Sequence, residues 1–147
     1  MFVTLLTTTL LVLAAVAIHL EALWLLAGLL QKLHRRPRVA VAIGILGILV
    51  AHLLEIAVFA VGIYLLDVSP GHGQLVGSRS DVDVDCIYYS MVAYTSLGFG
   101  DLTPTGALRF LTGVETLTGL VLIAWTASFM FLQMQRLWHV EWPADQE

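Results

Sequence analysis

YYSMVAYTSLGFGDLTP, Tyr88 to Pro104, decides how this chain is read. It lies between two long apolar stretches, yet it places Thr95, Ser96, Gly98, Gly100 and Asp101 close together. Its apolar part, Tyr88 to Ser96, is too short to cross about 30 Å of hydrocarbon at about 1.5 Å per residue. It is therefore expected to enter and leave on one side as a re-entrant piece. Non-helical backbone persists at membrane depth only where protein buries it or where it lines a water-filled path. Glycine at 98 and 100 opens backbone conformations that other residues avoid, so the alternation Ser-Leu-Gly-Phe-Gly can turn successive carbonyls toward one side. A single strand of carbonyls does little, but four copies around an axis make rings of oxygens that replace an ion's water shell. One such segment per chain predicts a tetramer of identical chains.

The rest of the chain is what such a segment needs around it. Of 147 residues, 59% are hydrophobic and 12% charged, half the charged share of an ordinary soluble domain. This predicts an all-α membrane protein with three transmembrane helices and a re-entrant pore helix and filter per subunit. The three spans are read at 1–30, 39–66 and 107–137, each longer than the roughly 20 residues that a crossing needs. Between the first two, residues 31–38 hold Lys32, Arg35, Arg36 and Arg38 and the helix-ending Pro37. A short basic loop stays in the cytoplasm, which puts the N-terminus outside and the end of the third span inside. The 67–85 loop, with Asp67, Asp81, Asp83 and Asp85 against Arg79, is then extracellular, and 86–101 forms the pore helix and filter. The last segment, 138–147, reads as a short cytoplasmic tail with Trp138 and Trp142 as interfacial anchors. The start has no positive n-region, so the first span is read as a retained helix and not as a cleaved signal. A net charge of −4 gives no basis for nucleic-acid binding, and Cys86 alone makes no internal disulfide.

YSMVAYTSLGFGDLTP resembles the pore helix and selectivity filter of the potassium channel superfamily, whose usual filter reads Thr-Val-Gly-Tyr-Gly-Asp. The resemblance runs from Asp85 to about Arg136. It implies a potassium-selective channel that moves K+ passively across the plasma membrane, most simply a bacterial inner membrane, as a multi-pass homotetramer. By position, Ser96, Leu97, Gly98, Phe99 and Gly100 form the filter, with K+ at Ser96, Leu97, Gly98 and Phe99, and Asp101 stands at the pore mouth. Ser96 keeps the hydroxyl of the usual threonine. Phe99 lacks the usual tyrosine hydroxyl, which implies a filter held less rigidly. VETLTG and IAWTASFMF, residues 114–119 and 123–131, resemble the inner helix of prokaryotic inward-rectifier-type channels, small two-pore-helix potassium channels among them. That likeness makes Gly119 a candidate hinge and Leu120, Ile123 and Ala127 the cavity lining. No voltage sensor or large ligand-binding domain is recognised in these residues, and potassium ions are the only cofactor implied.

Ionisable residues inside spans are costly in lipid unless paired or hydrated. Those here are His19, Glu21, His52, Glu55 and Glu115. Counted from the basic hairpin, His19 and His52 come to similar depth on antiparallel helices. His52 and Glu55, at i and i+3, share a face, whereas His19 and Glu21, at i and i+2, do not. A buried polar clamp is the favoured reading of this set. A proton-sensitive gating cluster or a metal site stands beside it. Glu115 is expected behind the filter as a structural hydrogen-bonding group. Three other functions compete with the potassium channel: a weakly selective cation channel, an intramembrane metal-dependent enzyme on His19, Glu21, His52 and Glu55, and a non-conducting accessory subunit. The chain shows no His-Glu-x-x-His spacing, which ranks the enzyme last.

Overall fold

The structure is a computed structural model, and it describes residues 1–138. The Trp142 anchor and nearly all of the expected tail lie outside the described residues. In chain order the elements are α1 (Phe2–Lys32), α2 (Pro37–Asp67), β1 (Leu75–Gly77), α3 (Val82–Tyr94), β2 (Leu102–Pro104) and α4 (Leu108–Trp138). Helices α1, α2 and α4 are long and apolar enough to cross a membrane, and the chain is an all-helical membrane protein. Pro37 opens α2 at its first position, where the absent N–H would be unbonded in any case.

Helix α1 packs on α2 and α4 along one stripe, with Thr4, Thr8, Ala15, His19, Leu23, Leu26 and Leu30 buried at helical spacing. Of its two buried threonines, Thr8 donates its hydroxyl to the Thr4 carbonyl at 2.7 Å, whereas the Thr4 hydroxyl has no partner among the described residues. Leu10, Leu13, Leu20 and Trp24 face outward, as expected of a helix that is apolar all round. Small residues let the helices approach: a Cβ on Gly62 would stand 2.2 Å from a methyl of Leu11, and close packing of this kind drives association of helices in lipid.

Helix α3 is the short helix expected before the glycines, but it begins earlier than Tyr88. Asp81 caps it by accepting from the Asp83 N–H at 3.1 Å, and Asp83 and Asp85 occupy the first turn, where negative charge is favoured. Part of the acidic 67–85 loop is therefore helix. Phe59, Ile63 and Leu66 of α2, Cys86, Tyr89 and Tyr94 of α3, and Leu108, Leu111 and Leu122 of α4 form one buried cluster around it. Cys86 is a buried free thiol.

One feature has no counterpart in the sequence reading. Strands β1 and β2 pair antiparallel, with Leu75 opposite Pro104 and Gly77 opposite Leu102. Three-residue strands leave no alternation to detect, and the clustered glycines of the loop suggest only turns. Gly77 has φ +136°, and a Cβ there would lie 2.0 Å from the Asp101 carbonyl oxygen, so glycine is required twice over. Arg79 fixes the loop to the end of α2: its guanidinium spans Asp67 with contacts of 2.7 and 3.3 Å, and Asp67 also accepts from the Leu75 N–H at 2.6 Å. The hydrogen bond to Asp67 holds the Arg79 guanidinium still more firmly protonated than usual.

Candidate functional site

Between α3 and β2 the backbone alternates in hand. Ser96, Gly98 and Gly100 have φ of +58°, +60° and +81°, whereas Leu97 and Phe99 between them do not enter the positive region. Such alternation rotates every second peptide plane and brings neighbouring carbonyls toward a common side, which a regular strand cannot do. Nothing lies within 4 Å of where a Cβ on Gly98 or Gly100 would stand, so in one chain these glycines serve the backbone angle and not a tight fit. The sequence placed Ser96 in this segment with both glycines but gave no sign of its left-handed angle. A non-glycine residue in the left-handed region is uncommon, and serine carries no signal for it.

The segment is tied at both ends. On the helix side, Thr95, Ser96 and Leu97 donate their N–H groups to the carbonyls of Met91, Ala93 and Val92 at 3.2, 3.0 and 3.0 Å. At the far end the Tyr88 hydroxyl donates to Asp101 at 2.8 Å, and Ser78 N–H donates to the Asp101 carbonyl at 3.1 Å. Between the ties, Leu97 and Phe99 are 58% and 64% exposed. A groove of about 300 Å³ runs beside them, bounded by Tyr89, Ser96, Gly98, Gly100, Thr112 and Thr116.

On α4, Leu120, Ile123 and Ala127 share one exposed stripe. Gly119 is buried, and the helix runs unbroken through it. A Cβ at Gly119 would lie 2.1 Å from the Tyr94 carbonyl oxygen and 3.0 Å from its carbon. What the structure shows there is close approach of α4 to the end of α3, where a bend was expected.

Beneath the glycine segment the polar residues of four helices converge. Glu55 is fully buried and accepts from His19 Nδ1 at 2.9 Å, from His52 Nδ1 at 3.0 Å and from the Tyr94 hydroxyl. His52 Nδ1 also lies 2.9 Å from the Tyr94 oxygen. Thr126 of α4 stands 3.1 Å from His52 Nε2 and 3.4 Å from His19 Nε2. Antiparallel packing of α1 and α2 brings the two imidazole centres to 5.4 Å. Two imidazoles and a carboxylate offer ligand atoms all within 4.8 Å of one another, a donor set able to hold a metal ion.

Two residues expected in this set lie elsewhere. Glu21 is exposed, because two positions from His19 a helix has turned about 200°. It borders a lipid-side groove with Gly47, Val50 and Leu54. Glu115 is buried apart from the cluster, with Oε1 2.5 Å from the Ser90 hydroxyl and Oε2 without a hydrogen-bond partner among the described residues. Tyr88 ties α3 to the far end of the filter-like segment through Asp101, and Tyr94 ties the end of α3 to Glu55. Aromatic residues give no sign in sequence of which hydroxyl will find a buried acceptor.

The sequence profile of the ion channel family matches residues 51–136, from within α2 through α3 and the glycine segment to the end of α4. No curated protein and no solved structure matches the chain. The matched region is more than half of the 147 residues and contains both the alternating backbone and the helices that cradle it. This chain therefore belongs to the ion channel family, within the potassium channel superfamily.

Proposed function

We propose that four copies of this chain surround a pore selective for potassium and conduct K+ passively across a plasma membrane, most simply a bacterial inner membrane. The observation that carries this reading is the alternation of positive φ at Ser96, Gly98 and Gly100 on an edge left exposed in a single chain. Related by a four-fold axis, that edge supplies stacked oxygen rings from Ser96, Leu97, Gly98 and Phe99, which substitute for the hydration of K+. The Asp101 carboxylates concentrate cations at the mouth. Leu120, Ile123 and Ala127 line the cavity below, and the groove beside the glycines receives the neighbouring copy. In this reading the basic 31–38 hairpin is cytoplasmic and the N-terminus lies outside. The protein is a transport protein and not an enzyme.

A second reading, weak cation selectivity, rests on Phe99, which has no hydroxyl to brace the filter against its neighbours. Reconstitution into liposomes decides between them. K+ efflux far above Na+ efflux, blocked by Ba2+, supports the first, and equal efflux of the two ions supports the second. No flux of either ion overturns both in favour of an accessory subunit.

A further inference from the structure

We infer that His19, His52 and Glu55, completed by Tyr94, form an intramembrane site for a divalent transition metal ion, best matched by Zn2+. The site stands whether or not the pore selects for K+. Its ligand atoms are already grouped: each Nδ1 sits 2.9 or 3.0 Å from a different oxygen of Glu55, and the Tyr94 oxygen sits 2.9 Å from His52 Nδ1. In a tetrahedral zinc site with bonds of about 2.0–2.1 Å, ligands stand about 3.3 Å apart. These three contacts therefore need to open by only about 0.4 Å each to admit the ion, and the shorter Tyr94–Glu55 contact by more. Two imidazoles with two oxygens suit Zn2+, whereas Mg2+ and Ca2+ take oxygen-only shells.

Proton counting adds an independent reason. If, without an ion, both rings carry their proton on Nδ1 and donate to Glu55, each neutral ring presents a bare Nε2 to Thr126. The threonine hydroxyl has one proton for two ring nitrogens, at 3.1 and 3.4 Å. One acceptor is left without a donor, which is costly in a buried site. With the ion, both Nδ1 lone pairs coordinate it and the ring protons move to Nε2. The two lone pairs of Thr126 Oγ1 then accept both N–H groups, the outer-shell bond that metal-bound histidines usually make. Its own proton can turn to the carbonyl four residues back, as those of Thr112, Thr116 and Thr118 do on the same helix. Loss of the Tyr94 proton to solvent leaves ion, carboxylate and phenolate with no net charge, as a buried ionic group in lipid requires. His19 and Glu55 are fully buried, and the 15% exposure of the His52 side chain is the opening among the three.

One rival satisfies the same count: a single extra proton shared by the two histidines. The test separates them. Tag-free protein, purified in detergent and stripped with chelator, is titrated with Co2+, whose tetrahedral complexes absorb intensely in the visible, and then with Zn2+ in competition. The expected result is one ion per chain, a tetrahedral Co2+ band displaced by Zn2+, and release of one proton per ion. His19→Gln and His52→Gln abolish the band. His34→Gln with His72→Gln leaves it intact. Thr126→Val, which keeps every ligand and remains informative if a histidine variant fails to fold, weakens binding about 10-fold or more. Absence of the band with Co2+ in excess, or a band that survives His19→Gln, overturns the site and leaves the proton as what the network holds.

Discussion

Gly119→Ala distinguishes a packing glycine from a hinge. The added Cβ would stand 2.1 Å from the Tyr94 carbonyl oxygen, and ordinary contact begins at 3.4 Å, so α4 and the end of α3 must part by the difference, about 1.3 Å. The obstructing atom is backbone, which no rotamer change relieves, so the cost lies toward the upper end of the usual 1–3 kcal/mol for overpacking, about 3 kcal/mol. Alanine returns about 1 kcal/mol in helix propensity, leaving a net loss of about 2 kcal/mol. Gly113 on the same helix is the control: nothing lies within 4 Å of its Cβ position, so Gly113→Ala gains the propensity term alone, about 1 kcal/mol. Thermal unfolding of the detergent-solubilised protein should place Gly119→Ala below wild type and Gly113→Ala at or above it. Liposome flux should fall for Gly119→Ala, because the displaced residue lies two positions before Ser96. If Gly119→Ala melts as high as Gly113→Ala, the close approach does not govern this position and Gly119 is free to act as the bend.

Glu55→Gln turns an acceptor of three hydrogen bonds into a group that replaces one carboxylate oxygen with an NH2 donor, and should cost about 3–5 kcal/mol as the breaking of a buried polar pair does, read as a large fall in melting temperature. Arg79→Ala removes the fork on Asp67 and should cost only about 1 kcal/mol, because the side chain is partly exposed; limited proteolysis between 67 and 81 should accelerate before global stability changes. Gly100→Ala should abolish K+ flux while the protein remains folded, since φ +81° penalises a Cβ by about 1–2 kcal/mol and no neighbour in the same chain obstructs it. Unchanged flux in that variant would remove the backbone alternation from the account. A tag on the N-terminus should be reached from outside intact cells; protection there would reverse the proposed topology.

The spans were legible because lipid imposes one strong rule, that a helix crossing it be long and apolar, and residues 1–138 obey it. Glycines 98 and 100 were legible because few residues tolerate their angles. Ser96 was legible as a member of the segment but its positive φ was not, since that angle is imposed by the backbone on either side of it. The pairing of β1 with β2 was hidden by its length, and the start of α3 by reading Asp81, Asp83 and Asp85 as loop charge where they act as cap and first turn. Sequence depth brought His19 and His52 to one level, and spacing put Glu55 beside His52. Tyr94 and Thr126 joined them through tertiary packing of α3 and α4, which leaves no spacing to read. Glu21 shows the limit from the other side: proximity in sequence to His19 placed it on the opposite face.

The central functional claim is that the alternating carbonyls of Ser96 to Gly100 select for potassium. Recording from the reconstituted protein in a planar bilayer, with K+ on one side and Na+ at equal concentration on the other, tests it directly. The account predicts a reversal potential displaced far toward the K+ equilibrium value, and a smaller current at the same reversal potential when Gly100→Ala subunits are mixed in. A reversal potential near zero for the wild-type protein would mean that these carbonyls pass both ions alike, and would contradict it.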